Sequence, residues 1–166
     1  MGRYRPPAAK KSPYITAEGF GALQGEARDL WRRRREVVSA LSAAAAEGDR
    51  SENAEYIYRK KQLRELDRRI RYLQKRLPEL SVVARSPGDS GKVFFGAWVT
   101  LEDEAGEAQT LRIVGPDEFD PAKNWISVDA PMARALLKRG LDEALTVGTP
   151  AGERRFVIVA IRYQPE

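Results

Sequence analysis

The chain has no cysteine and no histidine among its 166 residues, and only two methionines. Without cysteine there are no disulfides, thiolate metal sites or thiol nucleophiles. Without histidine the commonest general base and the commonest zinc ligand are also missing. Any chemistry must therefore run on carboxylates, hydroxyls and cations. No apolar run approaches the roughly 20 residues needed to cross a bilayer, and the first residues carry prolines and cations where a secretory signal has its apolar core. We therefore expect a soluble, cytoplasmic protein, and the lack of cysteine agrees with a reducing compartment.

What is present is charge, unevenly spread. Lys and Arg number 29 against 24 Asp and Glu, a net charge of +5. The basic residues concentrate between Arg28 and Arg76, while the later half is close to balanced. A basic first half predicts contact with a nucleic acid or an acidic protein surface. With 42% hydrophobic residues, the chain can build one substantial core or two small domains.

Periodicity divides it in two. Residues 1–13 carry Pro6, Pro7, Pro13 and several cations without an apolar repeat, and read as a mobile basic arm. From Thr16, a candidate N-cap, Phe20, Leu23, Ala27, Leu30, Arg34, Val37, Leu41 and Ala44 form a heptad seam with one polar interruption. Tyr56, Arg59, Leu63, Leu66, Ile70, Leu73 and Leu77 form a second, again with one Arg. Gly48 suits the end of the first helix and Pro78 closes the second. The spacing predicts an antiparallel coiled-coil hairpin over 14–80, each leg roughly 40 Å long at the rise of an α-helix, with an acidic tip at 47–55. Packing into a globular bundle is the alternative, but a strict two-in-seven seam favours a coiled coil.

After Pro78 the period changes. Leu80–Arg85, Lys92–Leu101, Thr110–Gly115, Trp125–Asp129, Ala144–Thr149 and Arg155–Tyr163 read as strands separated by Gly, Pro and Asp clusters. Pro131–Arg139 reads as one short helix with Gly140 just beyond it. The expected fold class is α+β, a helical hairpin followed over 81–166 by a small, mainly antiparallel sheet domain.

The tip concentrates Glu47, Asp49, Glu52 and Glu55 within nine residues. Asp49 and Glu52 match a capping box, Ser51 is a second cap candidate, and acids in a first helical turn complement the helix dipole. The other reading follows from location. Carboxylates at the end of a stiff rod reach a site that their own fold cannot approach, and there they suit Mg²⁺, a hard cation that takes oxygen ligands. Two carboxylates hold it poorly unless a partner supplies the remaining ligands.

Several segments, in order, resemble the Gre family of bacterial transcript-cleavage factors, and within it the GreB type. They are Gly48-Asp49-Arg50-Ser51-Glu52-Asn53-Ala54-Glu55-Tyr56, Arg64–Leu73, Gly91-Lys92-Val93-Phe94-Phe95-Gly96-Ala97-Trp98-Val99, Phe119, Asp129-Ala130-Pro131-Met132-Ala133-Arg134-Ala135-Leu136-Leu137 and Thr149-Pro150-Ala151-Gly152-Glu153. The resemblance implies an FKBP-like C-terminal domain and a monomer that binds the secondary channel of RNA polymerase. It implies an accessory factor, not an enzyme, which stimulates the polymerase to cleave backtracked nascent RNA and so rescues arrested complexes. Asp49 and Glu52 match the family's essential acids, with no cofactor held by the chain alone and a Mg²⁺ shared with the polymerase. Ser51 and Asn53 would shape the turn, and Glu47 and Glu55 are secondary candidates.

Lys60, Arg64, Arg68, Arg71 and Lys75 line one face of the second helix, and Arg28, Arg32 and Arg35 one face of the first. They are candidates for contact with the extruded RNA 3′ end, against the plainer reading of a solvated coiled-coil face. For docking on the polymerase's largest subunit the resemblance points to Asp129, Pro131 and Met132, which by spacing alone are helix-initiation residues. Rival functions are a Gre-like inhibitor of the same channel, a stand-alone metal-dependent nuclease, and an RNA-binding coiled coil without catalytic influence. An FKBP-like fold gives no ground for prolyl isomerase activity.

Overall fold

A computed structural model describes residues 7–48, 53–84 and 91–164. Among these, two compact units form: Glu18–Leu80, and the residues up to Ala17 together with those from Ser81 onward.

The first unit is built from two helices, α1 (Ala17–Ala46) and α2 (Ala54–Arg76). Leu23, Leu30, Val37 and Ala44 are buried on α1, one every seven residues, while Phe20, Ala27, Arg34 and Leu41 between them are half-buried. On α2 the buried positions are Leu66, Ile70 and Leu73, with Arg76 continuing the line. The helices run antiparallel, because partners on α2 fall in number as those on α1 rise: Glu26 meets Arg69, Arg34 meets Asp67, and Ala44 meets Asn53. The polar interruptions of the seam have local partners. Arg34 Nε lies 2.7 Å from Asp67 Oδ1 on the opposite leg. Arg59 is held along its own helix by Glu55 at 2.7 Å and Gln62 at 3.1 Å. A 3₁₀ turn at Leu77–Glu79, with Pro78 inside it, ends the unit.

The second unit begins with β1 (Tyr14–Ile15), which pairs in parallel with β2 (Ser81–Val82). Residues 14–17 thus pack with the sheet unit, although the heptad reading grouped them with the helices. The reason is local: Ile15 is fully buried, and Thr16 donates from its backbone N, at 3.0 Å, and its hydroxyl to the buried carboxylate of Glu118. Gly115 completes the clamp. A Cβ there would fall 2.0 Å from the Tyr14 carbonyl oxygen, and Gly115 N donates to Glu118 at 2.8 Å.

The main sheet contains β3 (Trp98–Asp103), β4 (Ala108–Val114), β5 (Trp125–Ser127), β6 (Ala144–Thr149) and β7 (Gly152–Arg162) in the order β5-β4-β3-β7-β6. All pairs are antiparallel except β4 with β5. Alternating residues fill one face: Val99 and Leu101, Leu111 and Ile113, Leu145 and Val147, Phe156 and Ile158. The short helix α3 (Pro131–Leu136) covers them with Ala133 and Leu136, both fully buried. On the opposite side of β4, the guanidinium of Arg112 lies 3.8 Å from the Trp98 ring centroid and 4.8 Å from that of Trp125.

Several boundaries move. The strand expected from Lys92 starts only at Trp98, because Gly96 turns at φ +86° and Val93 is bonded through its backbone to Lys138 and Arg139. That same pairing shortens the helix expected to reach Arg139, and Lys138 takes φ +70°. The strand expected over Leu80–Arg85 is ordered as β2 alone, and Arg85 lies outside the described residues. No helix among the described residues is long and apolar enough to cross a membrane.

Candidate functional site

The hairpin's turn is closed by Asn53. Its side-chain oxygen accepts from Tyr56 N at 3.1 Å and caps α2, while its Nδ2 donates to the Ala44 carbonyl at 2.8 Å on the other leg. One amide thus satisfies an orphan N–H of α2 and gives a second donor to the Ala44 carbonyl, which also accepts from Glu47 N at 3.2 Å. Gly48, at φ +149°, leaves α1 through a conformation that side-chain-bearing residues rarely adopt. The acids Asp49 and Glu52, and the alternative cap Ser51, lie outside the described residues. Because Asn53 caps α2, that helix does not need Asp49 or Ser51 for the purpose. Of the flanking acids, Glu47 is exposed, and Glu55 is drawn to Arg59.

Below the tip the legs are pinned by charge. Arg69 grips Glu26 with two bonds, Nε to Oε1 at 2.7 Å and Nη2 to Oε2 at 2.9 Å, in the forked geometry that suits guanidinium and carboxylate. The cations expected to meet RNA are all exposed: Arg28, Arg32 and Arg35 on α1, and Lys60, Arg64, Arg68, Arg71 and Lys75 on α2. They differ in their neighbours. Arg32 is bonded to Asp29 at 2.5 Å and Glu36 at 3.1 Å. The bond to Asp29 is the main cause that raises the Arg32 pKa and holds the Asp29 carboxyl below its usual range. Arg64, Arg68 and Arg71 line a shallow concavity with Asp67.

The residues expected to dock a partner gather at the start of α3. Pro131 occupies its first turn and is exposed, while Asp129 and Met132 are half-buried. Asp129 is engaged by Ser12, which donates its backbone N to Oδ2 at 2.9 Å and its hydroxyl to Oδ1. Ser12 is therefore held in place, where the sequence predicts a mobile arm. Its one local signal is the following Pro13, which favours an extended Ser12.

Among the described residues no group of three or more acids is placed to hold a metal ion. If Asp49 and Glu52 bind Mg²⁺, their oxygen donors match its preference, but two side chains leave most of the coordination shell to another molecule.

Comparison with known proteins bears on what such a partner is. Residues 13–82 match the family described as "Transcription elongation factor, N-terminal", and residues 88–163 match "Transcription elongation factor, GreA/GreB, C-term". The chain belongs to the GreA/GreB family of transcription elongation factors. Among its GreA/GreB relatives, transcription elongation factor GreB of Xanthomonas axonopodis pv. citri is 59% identical over 165 residues, 98% of each chain. GreB of Pseudomonas aeruginosa is 56% identical over 166 residues, 99% of each. Among solved structures, the GreA factor homolog 1 (Gfh1) protein of Thermus thermophilus is 25% identical, with a TM-score of 0.43 over 92% of this chain and 99% of that one.

Proposed function

We propose that this elongation factor acts as a partner of bacterial RNA polymerase. It enters the secondary channel tip first and stimulates the polymerase to hydrolyse backtracked nascent RNA. The observation that carries the reading is the construction of the tip. Asn53 closes both helix ends, so the four residues between Gly48 and Asn53, Asp49 and Glu52 among them, are not needed to cap α2. Membership of the family, over nearly the whole chain, supplies the reason to look to a polymerase.

Asp49 and Glu52 would lend carboxylate oxygens to a Mg²⁺ held mainly by polymerase acids. When bound, such an ion neutralises charge at the scissile phosphate and lowers the pKa of a coordinated water. The chain's own part is delivery. The seam and the Glu26–Arg69 and Arg34–Asp67 pairs stiffen the rod, and α1 spans about 45 Å at the helical rise. Arg64, Arg68 and Arg71 would follow extruded RNA through its phosphates. Asp129, Pro131 and Met132 would hold the polymerase's largest subunit. In this reading the protein is an accessory factor and the polymerase is the enzyme.

The test adds pure protein to backtracked elongation complexes carrying 3′-labelled RNA, with Mg²⁺. Release of a short 3′ fragment is expected to require polymerase and to be much faster with the factor than without it. Cutting of free RNA by the factor alone contradicts the accessory role, and suppression of the polymerase's own cleavage shows an inhibitor.

A further inference from the structure

Asp129 stands at the entrance of α3, and its carboxylate is fixed from outside its own element. Ser12, far away in sequence, donates to both oxygens, through its backbone N to Oδ2 at 2.9 Å and through its hydroxyl to Oδ1. Two donors on two oxygens set the plane of a carboxylate as well as its position. Asp129 N in turn donates to Ser127 Oγ at 3.1 Å, which fixes the backbone from which the side chain springs.

The donor is itself well held. The Pro13 carbonyl accepts from Ser81 N at 2.8 Å, and that of Ile15 accepts from Val83 N at 2.9 Å. Ile15 is fully buried, and Thr16 is tied to Glu118 through its N–H and hydroxyl. Residues 12–16 are therefore a strap fastened along its length, and Ser12 at its start meets Asp129.

We infer that Ser12 is a positioning residue for docking: it holds the Asp129 carboxylate in a single orientation before the partner arrives. The inference rests on the reading of Asp129 as a docking residue. Ordering a side chain when a complex forms weakens association, so prior fixation by Ser12 strengthens it, by roughly two- to tenfold in Kd. Because the strap forms without the partner, this ordering precedes the encounter.

The experiment measures Kd of the full-length chain for purified RNA polymerase core, together with the rate of transcript cleavage at saturating factor. The variants are Ser12→Ala, Ser12→Thr, Asp129→Asn and the Ser12→Ala/Asp129→Asn double variant. Ser12→Ala is expected to raise Kd roughly two- to tenfold and to leave the saturated cleavage rate unchanged. Ser12→Thr, which keeps the hydroxyl, should restore the wild-type Kd. In the Asp129→Asn background, Ser12→Ala should add little. A wild-type Kd for Ser12→Ala, alongside a weakened Asp129→Asn, overturns the positioning role and leaves docking through Asp129 intact. Equal losses for Ser12→Ala and Ser12→Thr overturn it too, as does a Ser12→Ala loss of the same size in both backgrounds. A wild-type Kd for Asp129→Asn removes the docking reading itself.

Discussion

The two units solve the problem of staying folded in different ways. The sheet unit closes a core in which Val93, Ala97, Val99, Leu101, Ile113, Ala133, Leu136 and Ile158 are fully buried. The hairpin has only a stripe, Leu23, Leu30, Val37 and Ala44 against Leu66, Ile70 and Leu73, flanked on α1 by the half-buried Phe20, Ala27, Arg34 and Leu41. A core buried on all sides resists truncation more steeply than a stripe whose neighbours can relax into solvent. Where apolar burial is thin, the hairpin adds cross-leg ion pairs and an amide clasp at its turn. Those devices leave the rest of its surface free for charge.

The comparison is broken most severely by matched truncations. Leu101→Ala should cost the sheet unit about 3–5 kcal/mol, and Leu30→Ala should cost the hairpin about 2–3 kcal/mol, since the stripe can collapse around the gap. Urea denaturation separates the two when followed by helical circular dichroism for the hairpin and, in a Trp31→Phe background that leaves only Trp98 and Trp125, by tryptophan fluorescence for the sheet. Equal costs would show that the stripe is packed as tightly as the core.

The next effect lies at the turn. Asn53→Ala removes the cap and the cross-leg donor together and should destabilise the hairpin by about 1–2 kcal/mol. Asn53→Asp keeps an acceptor for Tyr56 N but has no donor for the Ala44 carbonyl, so it should recover the cap and not the clasp. Thermal unfolding by circular dichroism orders the variants, and slower cleavage by both would tie the clasp to the aim of the tip.

Charge on the rod should matter for RNA more than for folding. Neutralising Arg64, Arg68 and Arg71 together should weaken action on long extruded RNA and reduce the salt dependence of that action, by a slope of about 2 if each meets one phosphate of a single strand. An unchanged slope returns them to a solvated face. The smallest effect expected is from Glu26→Gln. The Glu26–Arg69 pair is partly exposed, so its loss should cost about 0.5–1 kcal/mol and fade as salt is raised.

The heptad spacing made both helices and their direction readable, because burial on a two-helix rod recurs with the sequence. It could not show that Arg34 faces Asp67, since partners across legs depend on register. The start of α2 was equally hidden: the spacing offers Asp49 and Ser51 as caps and gives Asn53 only a part in the turn, whereas Asn53 accepts from Tyr56 N and donates across to Ala44. In the sheet unit, alternation located β3, β4, β6 and β7 but ran through Gly96, whose positive φ breaks the expected strand. The two-residue β1 carried no period to detect. Its role, and the fixing of Asp129 by Ser12, depend on contacts more than a hundred residues apart in the chain, which a local pattern does not encode.

The central claim, that the tip lends carboxylates to an ion another molecule holds, is tested most directly by the Mg²⁺ dependence of factor-stimulated cleavage. The rate should be compared for the wild-type chain and for Asp49→Asn, both at saturating factor and with polymerase binding measured alongside. The account predicts that Asp49→Asn binds as well as wild type, needs more Mg²⁺, and reaches a plateau lower by about a hundredfold, the scale seen when one electrostatic stabiliser of a transition state is removed. Superimposable Mg²⁺ curves for the two proteins would contradict it.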